Sequence, residues 1–485
     1  MLEKLKALEQ LSRQLDPGED ARRSMLKSAQ EYSEDFLSTL PQSGTYRGDT
    51  GRSGLGTPLF SELPAELPTL LQQFRIEVDT TGITPASGGQ MGYIPGGGLY
   101  PSAIGDFLAD ISNRYSGVAF AGPGAAAMEL ALVEWMCRLV GYPDTASGDL
   151  TSGGSIATLS ALVTARDACG IDYSNIPQSC VYLTGQAHHC IDKALHVAGL
   201  KDVQKRIVPM DTRYRMDTAG LRHMIQSDRA QGLEPWLIIA SAGTTDTGAV
   251  DPISEISALA KEYGMWFHLD AAYGGFFLLC EPGRQQLKGI DLADSIVLDP
   301  HKGLSLPYGS GAVLIRERHQ LLRSNAYDAH YMQDAKQGDT AGDPVLSPAD
   351  LSLELTRPFR GPRMWFPLRV FGLKAFRASI EEKIWLARYF HQEISKVPGF
   401  ETGPYPDLSI VTYRYIPQCG DANVFNRRLM LAVLDDGRLF ISTTTIDGNY
   451  TLRLAVLNFR THRLHIDTLL TLLKQAVIDL EGQNG

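Results

Sequence analysis

Polar side chains capable of chemistry follow the predicted strands of this sequence, at the points where the strands end. Four strands are followed in this way: His188 comes after residues 181–183, Thr245 after 236–240, Asp270 after 266–269, and Asp299, His301 and Lys302 after 295–298. In an open α/β sheet, ligands bind beyond the carboxyl ends of the strands. We therefore expect an acid, an amine, a hydroxyl and an imidazole to converge on one edge of the sheet.

Lys302 is the residue with the most specific chemistry. It comes directly after a predicted buried strand, between His301 and Gly303, where a solvated charge is poorly placed. Burial lowers the pKa of a lysine, which makes its amine nucleophilic toward an aldehyde. A carboxylate such as Asp270 suits the complementary task of keeping a pyridine nitrogen protonated, so that the ring becomes an electron sink. Taken alone, each residue favours a buried Lys–Asp ion pair with a purely structural role.

A glycine-rich segment, residues 151–155 (TSGGS), precedes a predicted helix. Glycines allow close approach of the backbone, and a helix N-terminus offers free N–H groups and a positive dipole to a phosphate. An ordinary helix capped by serine explains the same residues when they are considered alone. Together, the lysine, the acid and the phosphate cradle are the components of a pyridoxal 5'-phosphate (PLP) site.

Five ordered motifs give the sequence a resemblance to a known family. They are TSGGSIATLSALVTAR (151–166), AHHCIDKA (187–194), SAGTTDTGAVDPI (241–253), WFHLDAAYGG (266–275) and ADSIVLDPHKG (293–303). Over residues 60–465 the chain resembles the group II PLP-dependent amino-acid decarboxylases, which include the aromatic-L-amino-acid, histidine and glutamate decarboxylases.

The resemblance implies a role for each residue of the cofactor site. Lys302 would carry the cofactor as an internal aldimine, Asp270 would pair with the pyridinium nitrogen, and His188 and Ala272 would lie against the two faces of the ring. Gly154, Ser155 and His301 would hold the phosphate, and Thr245 would contact the cofactor. Asp299 stands where several members have asparagine. An anionic side chain beside a phosphate is unfavourable unless it turns away.

Tyr331 matches the catalytic tyrosine that the family places on a mobile loop after the lysine. Its phenol would protonate the quinonoid carbon after carbon dioxide leaves. Plant relatives that produce aldehydes oxidatively have phenylalanine there, so Tyr331 favours plain decarboxylation. Tyr327, four residues earlier, is the alternative register, and a loop tyrosine without a role is the alternative function.

The implied activity is decarboxylation of an L-amino acid to its amine through an external aldimine and a quinonoid. The segment 85–96 matches the substrate pocket of relatives, which predicts substrate contacts from Tyr93, Ile94 and Gly96. This segment has fewer aromatic side chains than in relatives with aromatic substrates. An aromatic amino acid is the first prediction, and aliphatic, acidic and diamino acids remain open.

Two other function classes compete with this one. Another PLP reaction on an amino acid (decarboxylative oxidative deamination to an aldehyde, an aldolase or a transaminase) would share the site except for the role of Tyr331. A non-catalytic relative is expected to lose Lys302 or Asp270, and the sequence retains both.

The predicted elements that position these residues form an α/β domain. Apolar runs alternate with helical periods from about residue 150, which is typical of a largely parallel sheet. The resemblance implies the aspartate-aminotransferase-like architecture, PLP fold type I, with a mostly parallel seven-stranded sheet, a small C-terminal α+β domain and a homodimer whose active sites lie at the interface. We predict a helical arm over 1–85, a large PLP-binding domain over 86–375 and the small domain over 376–485.

Composition excludes several other classes. The 485 residues include 45 Lys and Arg against 55 Asp and Glu, and the net charge of −10 disfavours a nucleic-acid binder. Six scattered cysteines without a CxxC pair predict neither a metal site nor a disulfide framework. The N-terminus lacks the pattern of a signal peptide, and no apolar run is long enough to span a membrane. We therefore expect a cytoplasmic protein.

Overall fold

The N-terminal segment is helical in the computed structural model, which describes residues 1–48, 60–326 and 346–482. Its elements are α1 (Leu2–Ser12), α2 (Glu19–Thr39), β1 (Tyr46–Arg47), α3 (Leu67–Phe74) and β2 (Gly82–Ile83), with β1 and β2 paired antiparallel. Asp16, Pro17 and Gly18 lie between the first two helices, because proline and glycine both interrupt a helix. Neither α1 nor α2 has a buried residue.

A seven-stranded sheet organises the large domain. Its strands are β3 (Ser147–Thr151), β4 (Ser179–Thr184), β5 (Gln204–Val208), β6 (Glu234–Ser241), β7 (Trp266–Asp270), β8 (Ser295–Leu298) and β9 (Gly311–Ile315). The strand order is β3-β9-β8-β7-β6-β4-β5. Strand β9 runs antiparallel to both of its neighbours, and the other adjacent pairs are parallel. The predicted seven-stranded, mostly parallel sheet is therefore confirmed.

Helices cover both faces of this sheet. The helices of the large domain are α4 (Tyr100–Ser112), α5 (Pro123–Val140), α6 (Gly154–Ala168), α7 (Cys190–Val197), α8 (Thr218–Ala230), α9 (Ile253–Tyr263), α10 (Glu281–Gln286), α11 (Pro300–Gly303) and α12 (Arg318–Asn325). Alternate strand residues face opposite sides, so Leu183 and Ile239 join the core beneath α6 and α7. Tyr182 and Ile238 join the core that includes side chains of α5 and α9. Burial of both faces explains why these strands are continuous apolar runs in the sequence.

The C-terminal region folds around a second, antiparallel sheet. Its elements are α13 (Gly361–Ile394), β10 (Phe400–Thr402), β11 (Ile410–Tyr415), α14 (Ala422–Asp436), β12 (Ser442–Ile446), β13 (Asn449–Ala455) and α15 (Arg463–Gly482). The strand order is β10-β11-β13-β12. Asp447 and Gly448 both have positive φ and form the tight turn between β12 and β13. The predicted small α+β domain is confirmed.

At both predicted domain boundaries the chain continues without a separate linker segment. The predicted boundary at 375/376 lies inside α13, three residues after the helix is interrupted at Gly372, where φ is +69°. Near the other boundary, Met91 joins the small sheet, because its N–H donates to Phe440 O (2.8 Å) and its carbonyl accepts from Ala455 N (2.8 Å). Both domain boundaries stay predictions. Within the described ranges, no helix has the length and apolarity needed to cross a membrane.

Candidate active site

A cavity of about 300 Å³ lies where β4, β6, β7 and β8 end and α6 begins. All of the residues predicted to hold the cofactor line it, namely Gly154, Ser155, His188, Thr245, Asp270, Ala272, Asp299, His301 and Lys302. They converge because parallel strands place their carboxyl ends at the same edge of a sheet. The structure therefore brings together residues from five separate segments of the chain, as the sequence predicts.

The N-terminus of α6 forms the cradle of this cavity. The helix starts at Gly154, and no side chain caps it, which argues against the alternative of an ordinary serine-capped helix. Gly153 has φ of +152°, and a Cβ on Gly311 would lie 2.5 Å from the carbonyl carbon of Gly153. These glycines let the backbone approach closely and leave the first N–H groups of α6 directed to the cavity. Such an arrangement suits a phosphate.

Lys302 lies in the short helix α11, one turn after β8. Its Nζ is 2.9 Å from Oδ2 of Asp299, whose side chain is 2% exposed. Burial lowers the pKa of Lys302, but the charge of Asp299 and its hydrogen bond outweigh burial, and the pKa is raised. The expectation that burial leaves this pKa lowered is therefore wrong for this geometry. The ion pair of Lys302 also forms with Asp299 rather than with Asp270, the partner considered from the sequence.

Asp270 and His188 both line the cavity, and the charge of Asp270 acts on the imidazole of His188. Oδ1 of Asp270 accepts a hydrogen bond from Ala272 N (3.1 Å), which fixes the carboxylate at the end of β7. Burial lowers the pKa of His188, and the charge of Asp270 opposes that effect. The N–H of Cys190 donates to Nδ1 of His188 (3.2 Å), so the proton of the neutral ring is on Nε2.

His301 is held by the backbone of the loop before β9. Its Nδ1 donates to the carbonyl of Ser310 (2.5 Å), and its Nε2 lies 3.8 Å from Oδ2 of Asp299. Burial lowers the pKa of His301, although the charge of Asp299 acts in the opposite direction. A neutral His301 therefore presents Nε2 as an acceptor toward the cavity.

The residues predicted to contact the substrate do not line this cavity. Tyr93 is largely exposed, with its ring 5.5 Å from that of Phe440, and Ile94 packs against the main core. Gly96 lies against the backbone of His301, because a Cβ there would be 2.0 Å from the His301 carbonyl oxygen. Their substrate contacts stay predictions.

The predicted catalytic tyrosine cannot be placed in the same way. Tyr331, and Tyr327 as its alternative, lie outside the described residues. The catalytic role assigned to this loop therefore stays a prediction.

Two buried residues outside the predicted set interact electrostatically with each other, and one of them, Tyr273, lines the cavity. Arg453 is 3% exposed and donates to the carbonyls of Tyr93 (2.7 Å) and Asp246 (3.0 Å). Burial lowers its pKa to about 10. Tyr273 lines the cavity and joins it to the small domain through a 2.7 Å hydrogen bond with Ser409. The feature of the sequence that could have identified Arg453 is its position as a charged residue between two leucines of an apolar strand.

The cavity meets the requirements of PLP on structural grounds. It combines an amine, a carboxylate at a strand end, an imidazole and an uncapped helix N-terminus with close-packed glycines. One buried oxygen, Oδ1 of Asp299, has no hydrogen-bond partner among the described residues and faces the start of α6. The donors and the cradle fit an aldehyde cofactor that carries a phosphate.

Comparison with known proteins agrees with this assignment. The pyridoxal-dependent decarboxylase conserved domain matches residues 60–416. An aromatic-L-amino-acid decarboxylase of Bacillus atrophaeus is 35% identical over 375 residues, which are 76% of this chain and 77% of that protein. Tyrosine decarboxylase 2 of Arabidopsis thaliana is 30% identical and covers 73% of this chain and 68% of its own length.

Among solved structures, Oryza sativa TDC with PLP and tryptamine superposes with a TM-score of 0.89 at 25% identity. The match covers 96% of this chain and 99% of that one. The architecture is therefore PLP fold type I. The chain belongs to the pyridoxal-dependent decarboxylase family and is a PLP-dependent carboxy-lyase that acts on amino acids.

Proposed function

We propose that this enzyme decarboxylates an aromatic L-amino acid to the corresponding amine and carbon dioxide. The convergence of Lys302, Asp270 and His188 beside the uncapped start of α6 is the observation that carries the reaction. The aromatic substrate is supported by the relatives, because the Bacillus atrophaeus protein is an aromatic-L-amino-acid decarboxylase and the Arabidopsis protein a tyrosine decarboxylase.

The residues that line the cavity would divide the binding of PLP between them. Lys302 would hold the aldehyde carbon, Asp270 the pyridine nitrogen, and Gly154 and Ser155 the phosphate, while His188, Ala272 and Thr245 would contact the cofactor. His301, predicted to hold the phosphate as well, has no proton to donate from Nε2 while its ring is neutral. When bound, PLP supplies an electron sink for the pair of electrons left when the carboxylate departs.

The side chains of this chain control protons around that step. Asp270, anchored by Ala272 N, would stabilise positive charge on the ring nitrogen of the bound cofactor. His188 carries its proton on Nε2 because Nδ1 accepts from Cys190 N. The phenol of Tyr331 would return a proton to the substrate Cα, in which case the product is an amine rather than an aldehyde.

We also propose that the enzyme is a homodimer whose active sites lie at the interface. The support is the exposed apolar surface of α1, where Leu2, Leu5, Leu8 and Leu11 are all more than half exposed. A cytoplasmic location is supported by the six cysteines, which are free in the structure, since reduced thiols are typical of that compartment.

A panel of amino acids tests the reaction directly. Purified protein with added PLP should release amine and carbon dioxide in equal amounts from an aromatic amino acid, with no hydrogen peroxide. Lys302→Ala should abolish turnover. Aldehyde with peroxide would contradict plain decarboxylation. Exclusive turnover of an acidic or aliphatic amino acid would contradict the aromatic substrate, and catalytic carbon dioxide release by Lys302→Ala would contradict the assigned site.

A further inference from the structure

We propose that Asp299 makes cofactor binding proton-linked in this enzyme, because its carboxylate lies in the phosphate cradle and shares one proton with the bound phosphate. The side chain thereby limits the affinity for PLP at alkaline pH. This inference rests on the PLP site proposed above.

The position of the carboxylate is the first step. A Cβ on Gly154, the first residue of α6, would lie 2.9 Å from Oδ2 and 3.3 Å from Oδ1 of Asp299. The carboxylate therefore covers the helix N-terminus at which a phosphate would bind. Asp299 is 2% exposed, so it cannot be solvated by bulk water where it stands.

The partners of Asp299 are unevenly distributed. Oδ2 pairs with Nζ of Lys302 at 2.9 Å, whereas Oδ1 is buried and has no hydrogen-bond partner in the described part of the chain. An anionic oxygen left in this state is costly, and a proton on it supplies a donor. A phosphate oxygen is the acceptor that such a donor would meet in the cradle.

The charges around Asp299 do not neutralise an added phosphate. Lys302 is the cation that faces it, and Asp270 contributes a second carboxylate to the same cavity. His301 and His188 have pKa values lowered by burial, and burial raises the pKa of the Cys190 thiol to about 12, so these three groups are neutral near pH 7. Among the residues that the structure describes, a phosphate dianion would therefore join two carboxylates and a single ammonium group.

One proton from solvent resolves this repulsion. It is shared between a carboxyl oxygen of Asp299 and a phosphate oxygen in a short charge-assisted hydrogen bond, and no covalent bond to either group changes, while the ion pair of Asp299 with Lys302 is lost. Lys302 is released from its pair and becomes available to the aldehyde carbon. An asparagine at this position would donate to the phosphate from its amide and would need no proton.

The test measures the affinity for PLP of the full-length protein after the cofactor has been removed, between pH 6.5 and 8.5. Binding that takes up one proton weakens by up to about tenfold per pH unit. We expect the dissociation constant of the wild type to rise with pH at close to that slope. In Asp299→Asn the slope should be much smaller, with affinity at pH 8.5 higher by about tenfold or more.

Two controls isolate the phosphate. Pyridoxal, which lacks phosphate, reports the contribution of Lys302 in each protein, because the loss of Asp299 also changes the pKa of Lys302. The dissociation constant for PLP should rise more steeply with pH than that for pyridoxal in the wild type, and the two slopes should be nearly equal in Asp299→Asn. Asp192→Asn removes an exposed carboxylate on α7 that pairs with Lys205 outside the cavity, and it should leave PLP affinity unchanged. Inorganic phosphate, measured by calorimetry, should reproduce the proton uptake in the wild type alone.

The outcomes separate this inference from the proposed function. Equal slopes for PLP in wild type and Asp299→Asn, or weaker binding by the variant, would overturn the role of Asp299 while leaving the site intact. Failure of the wild type to develop the absorbance of a Lys302 Schiff base would overturn the site itself. If Asp299→Asn does not fold, the difference in slope between PLP and pyridoxal in the wild type still decides, since equal slopes contradict the inference.

Discussion

Asp270 owes its position to the strand that precedes it. Strand β7 ends at this residue, and the hydrogen bond from Ala272 N to Oδ1 fixes the carboxylate in the following turn. One oxygen is therefore anchored by the backbone, and the carboxylate faces the cavity. A carboxylate held in this way would stabilise a protonated pyridine nitrogen at no cost of reorganisation during the reaction.

Asp270→Asn keeps the shape of the side chain and removes its charge. We expect kcat to fall by at least about 100-fold, because the ring nitrogen loses the anion that keeps it protonated. Steady-state kinetics on the preferred amino acid measure this effect, with the Schiff-base absorbance of Lys302 as the check on cofactor binding. An unchanged kcat at full cofactor occupancy would exclude this role for Asp270.

At the scale of elements, the sequence predicted the bounds of the strands next to the site more accurately than those of the strands in the small C-terminal sheet. The apolar runs 266–269 and 295–298 match β7 and β8 closely, because buried parallel strands are apolar on both faces. The apolar run 439–442 is also strand-like in sequence, but β12 is Ser442–Ile446. The Asp447–Gly448 turn sets the register of β12, while Phe440 forms an isolated parallel bridge with Gln90.

The composition of the site was predictable but its pairing was not. Motif order placed Lys302, Asp270 and His188 together, since each follows a strand of one sheet. The pair of Lys302 with Asp299 depends on the turn of α11, which no pattern in the sequence specifies. The contacts of Arg453 with Tyr93 and Asp246 join segments more than 100 residues apart, and only the folded chain brings them together.

A substitution at Gly96 measures how tightly the segment before α4 packs against α11, the short helix that contains Lys302. A Cβ there would lie 2.0 Å from the carbonyl oxygen of His301, so Gly96→Ala must displace backbone next to Lys302. We expect the free energy of unfolding to fall by about 1–3 kcal/mol and cofactor affinity to fall with it. Gly124→Ala in α5, where a Cβ meets nothing within 4 Å, should stabilise the protein by up to about 1 kcal/mol. Urea unfolding of both variants provides the comparison, and equal stability would contradict the tight fit.

Strand β7 also carries a histidine that should make stability depend on pH. His268 is fully buried, hydrogen-bonded through Nδ1 to Ser295 (2.8 Å), and burial lowers its pKa to about 4. The unfolded chain protonates near pH 6.5 while the native chain stays neutral, so stability is lost as the pH falls from about 6.5 to about 4. The loss from this residue amounts to about 3 kcal/mol.

The measurement compares wild type with His268→Phe. The free energy of unfolding of the wild type should fall more steeply from pH 7 to pH 4.5, because phenylalanine takes up no proton in either state. Asp251, whose pKa burial raises to about 6, acts in the opposite direction in both proteins and cancels in the difference. Parallel pH profiles for the two proteins would contradict a neutral His268.

At the scale of the whole molecule, apolar surface outside the cavity is concentrated on particular faces. The leucines of α1 are exposed, and so are Ile104, Phe107 and Ile111 on α4 and Phe371 on α13. Exposed apolar faces of this kind are typical of surfaces that bind a protein partner. A second copy of the chain is the partner expected under the proposed homodimer, with an arm from each copy contributing to the contact.

Charged substitutions on these faces should therefore change the oligomeric state. Leu5→Glu together with Leu8→Glu, or Phe107→Glu alone, places a carboxylate in the proposed interface, where desolvation of the charge disfavours association. Sedimentation should show a shift from dimer to monomer, with a parallel loss of decarboxylation because the proposed interface contains the active sites. Leu431→Glu, at an exposed position on α14 of the small domain, should leave both properties unchanged. A wild type that sediments as a fully active monomer would contradict the homodimer, whereas dimeric variants with normal activity would move the interface to another face.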